Sequence, residues 1–89
     1  MIDLNDRVVL VTGAGGAIGS ATARTIARAG GRVLLHDRDD ASVAAIAAEL
    51  GDRGTPLTAD LADPHSADAL WDRAMSVHGR IDVLINNAG

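Results

Sequence analysis

The chain has 89 residues, enough for one small domain, and 47% of them are hydrophobic, which excludes a disordered chain. Its formal net charge of -4 and its pI near 5.0 argue against a nucleic-acid partner, whose backbone calls for a basic patch. There is no cysteine and no tyrosine, and all eight basic residues are arginine. These residues alone therefore cannot run chemistry that needs a thiolate, a phenol or an amine side chain.

The opening stretch, MIDLNDRVVLVTG, carries acids early and lacks the basic n-region of a signal peptide. No apolar run approaches the length that spans a bilayer, so the expectation is a cytoplasmic protein with no membrane partner. Residues 7–12, RVVLVT, form a near-continuous apolar run stopped by Gly13, the pattern of a strand buried on both faces. Ile18, Ala21, Thr22, Thr25, Ile26 and Ala29 then recur at helical spacing, and Gly30-Gly31 ends that helix. RVLLHD, 32–37, predicts a second strand. A second helix carries Val43, Ile46, Ala47 and Leu50 on one face and stops at Gly51. TPLTAD, 55–60, is a weaker third strand whose Pro56 belongs on a sheet edge, where a missing donor is tolerated. Asp63 followed by Pro64 reads as an N-cap and a first helical position. The third helix shows Leu70, Trp71, Ala74 and Val77 and stops at Gly79, and the last strand is 81–86. This βαβαβαβ alternation with short connections predicts an α/β domain over 1–89, a parallel sheet covered by helices.

The first strand runs directly into TGAGGAIG, 12–19, which opens the first helix. Small residues there allow a sharp turn and let backbone N–H groups approach a phosphate, with the positive end of the helix aimed at the same anion. A tight strand-to-helix turn without a ligand would use glycine in the same way. Two features of context favour dinucleotide binding. The loop lies between a strand and a helix. An acid, Asp37, ends the second strand 18 residues after Gly19, near the offset of about 20 expected for a carboxylate that holds an adenosine ribose. Such a carboxylate accepts from the ribose hydroxyls and repels a 2′-phosphate, which favours NAD over NADP as cofactor. Arg38 could turn to a 2′-phosphate, lie along the adenine face, or be a solvated charge. His36, His65 and His78 show no metal-ligand spacing and read as surface or capping residues, so no metal is expected. Trp71 lies on the apolar stripe of the third helix and reads as core or interface.

TGAGGAIG at 12–19, Asp37, ADL at 59–61 and NNAG at 86–89 together resemble the short-chain dehydrogenase/reductase family, over the whole chain. The loop can be phased as the classical subfamily, with alanine at 17 where a glycine is usual, or as the extended subfamily on glycines 13, 16 and 19. NNAG favours the classical type. The resemblance implies a Rossmann-type sheet of four strands in the order 3-2-1-4 with three helices, incomplete relative to the family. It implies that Gly13, Gly15, Gly16, Ala17, Ile18 and Gly19 cradle the pyrophosphate and adenosine ribose, with Gly16 and Ile18 nearest the ligand. Asp37 would hold the ribose hydroxyls, with Arg38 beside it. Asp60 would accept from the adenine amino group, with the Leu61 backbone alongside, and Asn87, Ala88 and Gly89 would line the ribose side. A turn role for Asp60 and a sheet-bracing role for Asn86 and Asn87 stand beside these. The family's catalytic serine, Tyr-x-x-x-Lys pair and further asparagine have no counterpart here, so no catalytic residue is assigned.

The leading reading is the dinucleotide-binding half of a short-chain oxidoreductase that would move hydride between NAD(P) and a carbonyl or alcohol. A non-catalytic adenine-nucleotide module and a structural or interaction unit are the alternatives. Right-handed crossovers place the third helix on the sheet face opposite the first two. The strand at 81–86 is then an apolar edge without lysine or proline, which predicts self-association or pairing with a C-terminal half through it.

Overall fold

The computed structural model describes residues 3–87. Four strands, β1 (Val8–Thr12), β2 (Arg32–Asp37), β3 (Gly54–Thr58) and β4 (Val83–Asn86), alternate with three helices, α1 (Ala17–Arg28), α2 (Asp40–Leu50) and α3 (Pro64–His78). All the strand pairings are parallel, and the sheet order is β3-β2-β1-β4. This is the Rossmann-type arrangement that the sequence implied. Among the described residues, no helix is long and apolar enough to cross a membrane.

The sheet is the core, and its strand pattern explains why. Every residue of β1 is buried. Val9 and Val11 face one side with Val33, Leu35, Ala23 and Ile26 of α1's face, and Val43 and Ile46 of α2. Val8 and Leu10 face the other side with Leu34, Leu57, Leu70 and Ala74. The period of two along each strand thus divides one apolar run between two helical layers. α1 and α2 cover one face and α3 the other, as right-handed crossovers require. Each fully buried Val or Leu contributes about 1.5–3 kcal/mol.

Helix ends follow local chemistry. Asp39 caps α2 by accepting from the Ala41 N–H at 3.1 Å, and Asp63 caps α3 by accepting from the His65 N–H at 3.0 Å, with Pro64 at the first helical position. Gly79 closes α3 in the left-handed region at φ +77°. A 3-10 turn at Gly51–Arg53, not foreseen from the sequence, joins α2 to β3. Arg53 within it donates to Asp6 at 2.9 Å and to the Gly30 carbonyl at 2.7 Å.

Three strands are shorter than their apolar runs. The first begins at Val8, beyond Arg7, which is exposed. The third ends at Thr58 because Asp60 starts a turn, its carboxylate accepting from the Ala62 N–H at 3.0 Å. The fourth begins at Val83 because Asp82 clamps the start of β1 instead. Its N–H donates to the Val8 carbonyl, and its Oδ2 accepts from the Val8 N–H, both at 2.8 Å. That N–H and the Arg80 guanidinium hold the Asp82 carboxyl below its ordinary pKa.

One side of the molecule is left open. Pro56 lies on β3, at one sheet edge, and β4 forms the other edge. On β4, Val83 is 43% and Leu84 52% exposed, one on each face. On α1, Arg24 pairs with Glu49 of α2, so that flank faces α2. Ile18, 74% exposed, lies on the opposite flank. On α3, Arg73 donates to the Thr58 carbonyl of β3 at 3.0 Å, so Trp71 and Met75, one turn apart on the other flank, look away from β3. Trp71 is exposed and is not a core residue, which corrects half of the expectation for it.

Candidate functional site

The loops after β1, β2 and β3 and the end of β4 meet at the carboxyl edge of the sheet. Gly13 leaves β1 with φ +66°, a left-handed conformation that glycine adopts without strain and that turns the chain out of the ladder. The Ala14 N–H still donates to the His36 carbonyl at 2.8 Å, and the Gly16 N–H returns to the Gly13 carbonyl at 3.2 Å. Gly16 then caps α1 without a side chain. Gly19, in the first turn, is buried against that loop. A Cβ there would overlap the Gly13 carbonyl oxygen and stand 2.9 Å from Ala14 Cα and Asn87 Nδ2. Glycine at 19 is therefore a packing requirement within the loop.

β4 fixes the other side of the loop. The Thr12 hydroxyl donates to Asn86 Oδ1 at 3.0 Å and accepts from the Asn87 N–H at 3.0 Å. Asn87 Nδ2 reaches the Gly13 carbonyl at 3.3 Å. The two asparagines brace the glycine loop against the sheet, and Asn87 also lines the cleft.

Asp37 ends β2 with both carboxylate oxygens engaged by backbone. Oδ2 accepts from the Gly15 N–H at 3.0 Å, and Oδ1 accepts from the Asp39 N–H at 3.2 Å. The acid that the spacing assigned to a ribose thus also shapes the glycine loop, a second role the sequence did not show. Each oxygen keeps a lone pair for a further donor.

These elements enclose a cleft of about 490 Å³, lined by Gly13, Gly16, His36, Asp37, Arg38, Ala59, Asp60, Leu61, Ala62 and Asn87. That volume lies within the range of about 300–1,000 Å³ typical of small-ligand sites. The cleft brings together the loop, Asp37 and Arg38, Asp60 and Leu61, and Asn87. Gly15 stands behind the loop, its N–H on Asp37 and its Cβ position filled by Ser42. Ala17 and Ile18 face a separate shallow groove of about 480 Å³ with Ala21, Thr22, Thr25 and Ile26. Ala88 and Gly89 lie outside the described residues.

His36, Ala59 and Ala62 line the cleft but were not singled out for it. His36 is 2% exposed, not the surface or capping residue expected. The signal was available, because alternation along β2 puts His36 on the same face as the buried Leu34. No group of three His, Cys, Asp or Glu among the described residues could hold a metal ion. Chemically, the cleft offers backbone N–H groups at a helix start, two carboxylates and a carboxamide. It suits a ligand with an anionic middle and hydroxyl or amino donors at its edge.

Known proteins share both sequence and fold with this chain. It is 40% identical over 87 residues to the probable oxidoreductase EphD of Mycobacterium tuberculosis, matching 94% of this chain and 15% of that protein. It is 45% identical over 89 residues to the 1-deoxy-11-beta-hydroxypentalenate dehydrogenase of Streptomyces exfoliatus, matching 97% of this chain and 32% of that one. The chain thus spans a third or less of the length of these relatives. The crystal structure of the 3-ketoacyl-(acyl-carrier-protein) reductase from Brucella melitensis, complexed with NADH, superposes with a TM-score of 0.89 at 35% identity, over 92% of this chain and 34% of that one. Residues 7–89 match the model of the short chain dehydrogenases, and the chain belongs to that family.

Proposed function

We propose that these 89 residues form the adenosine-binding part of a nicotinamide-dinucleotide site in a short chain oxidoreductase. The observation that carries this reading is the meeting of Gly13, Gly16, Asp37, Asp60 and Asn87 around one cleft at the carboxyl ends of the strands. Open parallel sheets bind ligands at that edge, where the strand order reverses between β1 and β4. The NADH in the Brucella reductase supports a nicotinamide dinucleotide as the ligand class. In this reading the N–H groups of the loop and of the start of α1 bind the pyrophosphate. Asp37 accepts from the ribose hydroxyls, and Asp60 with the Leu61 backbone meets the adenine. The Asp37 carboxylate opposes a 2′-phosphate, which favours NAD over NADP, with Arg38 able to moderate that preference.

The bound dinucleotide would supply hydride chemistry; these residues bind and orient it. With no tyrosine and no lysine, they carry no Tyr-x-x-x-Lys pair to move the proton. The expected result is NAD binding without NADH formation across a panel of alcohols and sugars, followed by NADH absorbance. Saturable turnover by the purified 89 residues would contradict it.

We also propose that the open side around β4 is an association surface. An antiparallel pair of β4 strands centred on Leu84 would set Val83 against Ile85 of the partner and Asp82 against Asn86, with no like charges opposed. The same two-fold would bring together the α1 flanks at Ile18 and the α3 flanks at Trp71 and Met75. Sedimentation at micromolar concentration is expected to show dimer, shifting to monomer in Leu84→Lys. A parent chain that sediments as a monomer would overturn this.

A further inference from the structure

One buried side chain ties two walls of the cleft together. β2 and β3 form a regular parallel ladder through His36 opposite Leu57 and Asp37 opposite Thr58. One step further, the Ala59 N–H donates to the Asp37 carbonyl at 3.1 Å. The next bond of a parallel ladder would run from the Asp39 N–H to the Ala59 carbonyl. Asp39 instead gives its N–H to Asp37 Oδ1, which helps to hold that carboxylate toward Gly15. The Ala59 carbonyl is met by the His36 ring, whose Nε2 lies 2.9 Å away.

A carbonyl can only accept, so Nε2 carries the proton of that bond. In the neutral ring Nδ1 is then an acceptor, and it is buried with no partner among the described residues. An apolar side chain at this place, on the same face as Leu34, would leave no such unmet atom. Retaining an imidazole here carries an energetic cost, and the bond that offsets it is the one to Ala59.

We propose that His36 is a positioning residue for the adenosine end of the cleft. Its Nε2–H replaces the ladder donor that Asp39 gives up. β2 can then present Asp37 to the glycine loop while Asp60 and its turn stay anchored to β2 through Ala59. The inference rests on the reading of the cleft as a dinucleotide site. It adds that the two acids of the adenosine end are set by one shared side chain.

The test compares the parent 89-residue chain with His36→Leu and His36→Gln. Leucine fills the space without a donor, whereas glutamine restores an N–H. Calorimetric titration with ADP-ribose is expected to show about tenfold weaker binding in His36→Leu and recovery to within about threefold of the parent in His36→Gln. Amide NMR shifts report on the anchor with no ligand present. Residues 59–62 should move in His36→Leu and return toward the parent in His36→Gln, with the shifts of α1 and α2 unchanged in both. Unmoved rim amides in His36→Leu, or glutamine behaving as leucine does, would overturn the positioning role whatever the chain binds. A rim response in His36→Leu together with a parent that ignores ADP-ribose would remove the dinucleotide reading and leave the Ala59 anchor standing.

Discussion

Gly19→Ala is expected to destabilise the fold by about 2–3 kcal/mol and to abolish ADP-ribose binding, while Gly16→Ala leaves the stability of the fold near the parent. The two glycines sit three residues apart, one capping α1 and the other in its first turn, and the contrast comes from what a single methyl group would meet. At Gly19 it would overlap the Gly13 carbonyl oxygen and press on Ala14 Cα and Asn87 Nδ2. Two of those neighbours are backbone, so relief requires the loop itself to move away from α1. That movement would open the turn at Gly13 and break the contact from Asn87 to its carbonyl. At Gly16 the nearest atom to an added Cβ is the Gly13 carbonyl oxygen at 3.6 Å, an ordinary contact, and φ is -77°. The remaining cost there is that of alanine at an N-cap, below about 1 kcal/mol. In a domain of this size 1 kcal/mol moves the melting temperature by about 4–8 °C, so thermal denaturation separates the two variants clearly. Equal melting temperatures for Gly19→Ala and the parent would show that the loop is not packed as described.

Asp37→Ala is expected to weaken NAD binding by about ten- to a hundredfold and to erase the preference over NADP. A hydrogen bond to a charged group is worth about 1.5–3 kcal/mol, and removal of the carboxylate removes the acceptor for the ribose hydroxyls. It also frees the Gly15 and Asp39 N–H groups that the carboxylate now satisfies, so the loop loses its hold from β2. Asp37→Asn separates the two roles. The amide keeps the size and one acceptor oxygen but turns its NH₂ toward a backbone N–H, and it no longer repels a 2′-phosphate. Calorimetry with both dinucleotides reads each effect. If the alanine variant bound NAD as the parent does, with NADP unchanged, the assigned role of Asp37 would be wrong.

Much of this architecture is legible in the chain because its signals are local. Gly13 and Gly79 stop regular elements, Asp63-Pro64 starts one, and RVLLHD marks β2 at the bounds observed. Strand ends were less legible where a tertiary partner decides them. Asp82 leaves the strand pattern to clamp Val8, and the Ala59 carbonyl is met by the His36 ring instead of a ladder N–H. The 3-10 turn at Gly51–Arg53 has no pattern of its own beyond the glycine that begins it, and it is fixed by Arg53 reaching Asp6 and Gly30. The burial of His36 is legible in the alternation along β2, but a histidine followed by four charged residues suggests solvent. Trp71 reads as core or interface from the apolar stripe of α3, and it is not core because that stripe is wider than the surface it covers. Spacing from the glycine loop marks Asp37 and the resemblance marks Asp60, and only the structure shows that Asp37 already serves the loop.

The adenosine end of a dinucleotide is proposed to lie between the glycine loop, Asp37 and Asp60. The most direct measurement is an amide NMR titration of the 89-residue chain with ADP-ribose. Saturable shifts are predicted at Gly13, Gly16, Asp37, Asp60, Leu61 and Asn87, with the carboxyl-edge loops responding and the opposite sheet edge around Asp6 and Arg53 silent. Shifts confined to the α1 groove at Ile18, Ala21 and Thr25, or no saturable shift at millimolar ADP-ribose, would contradict it.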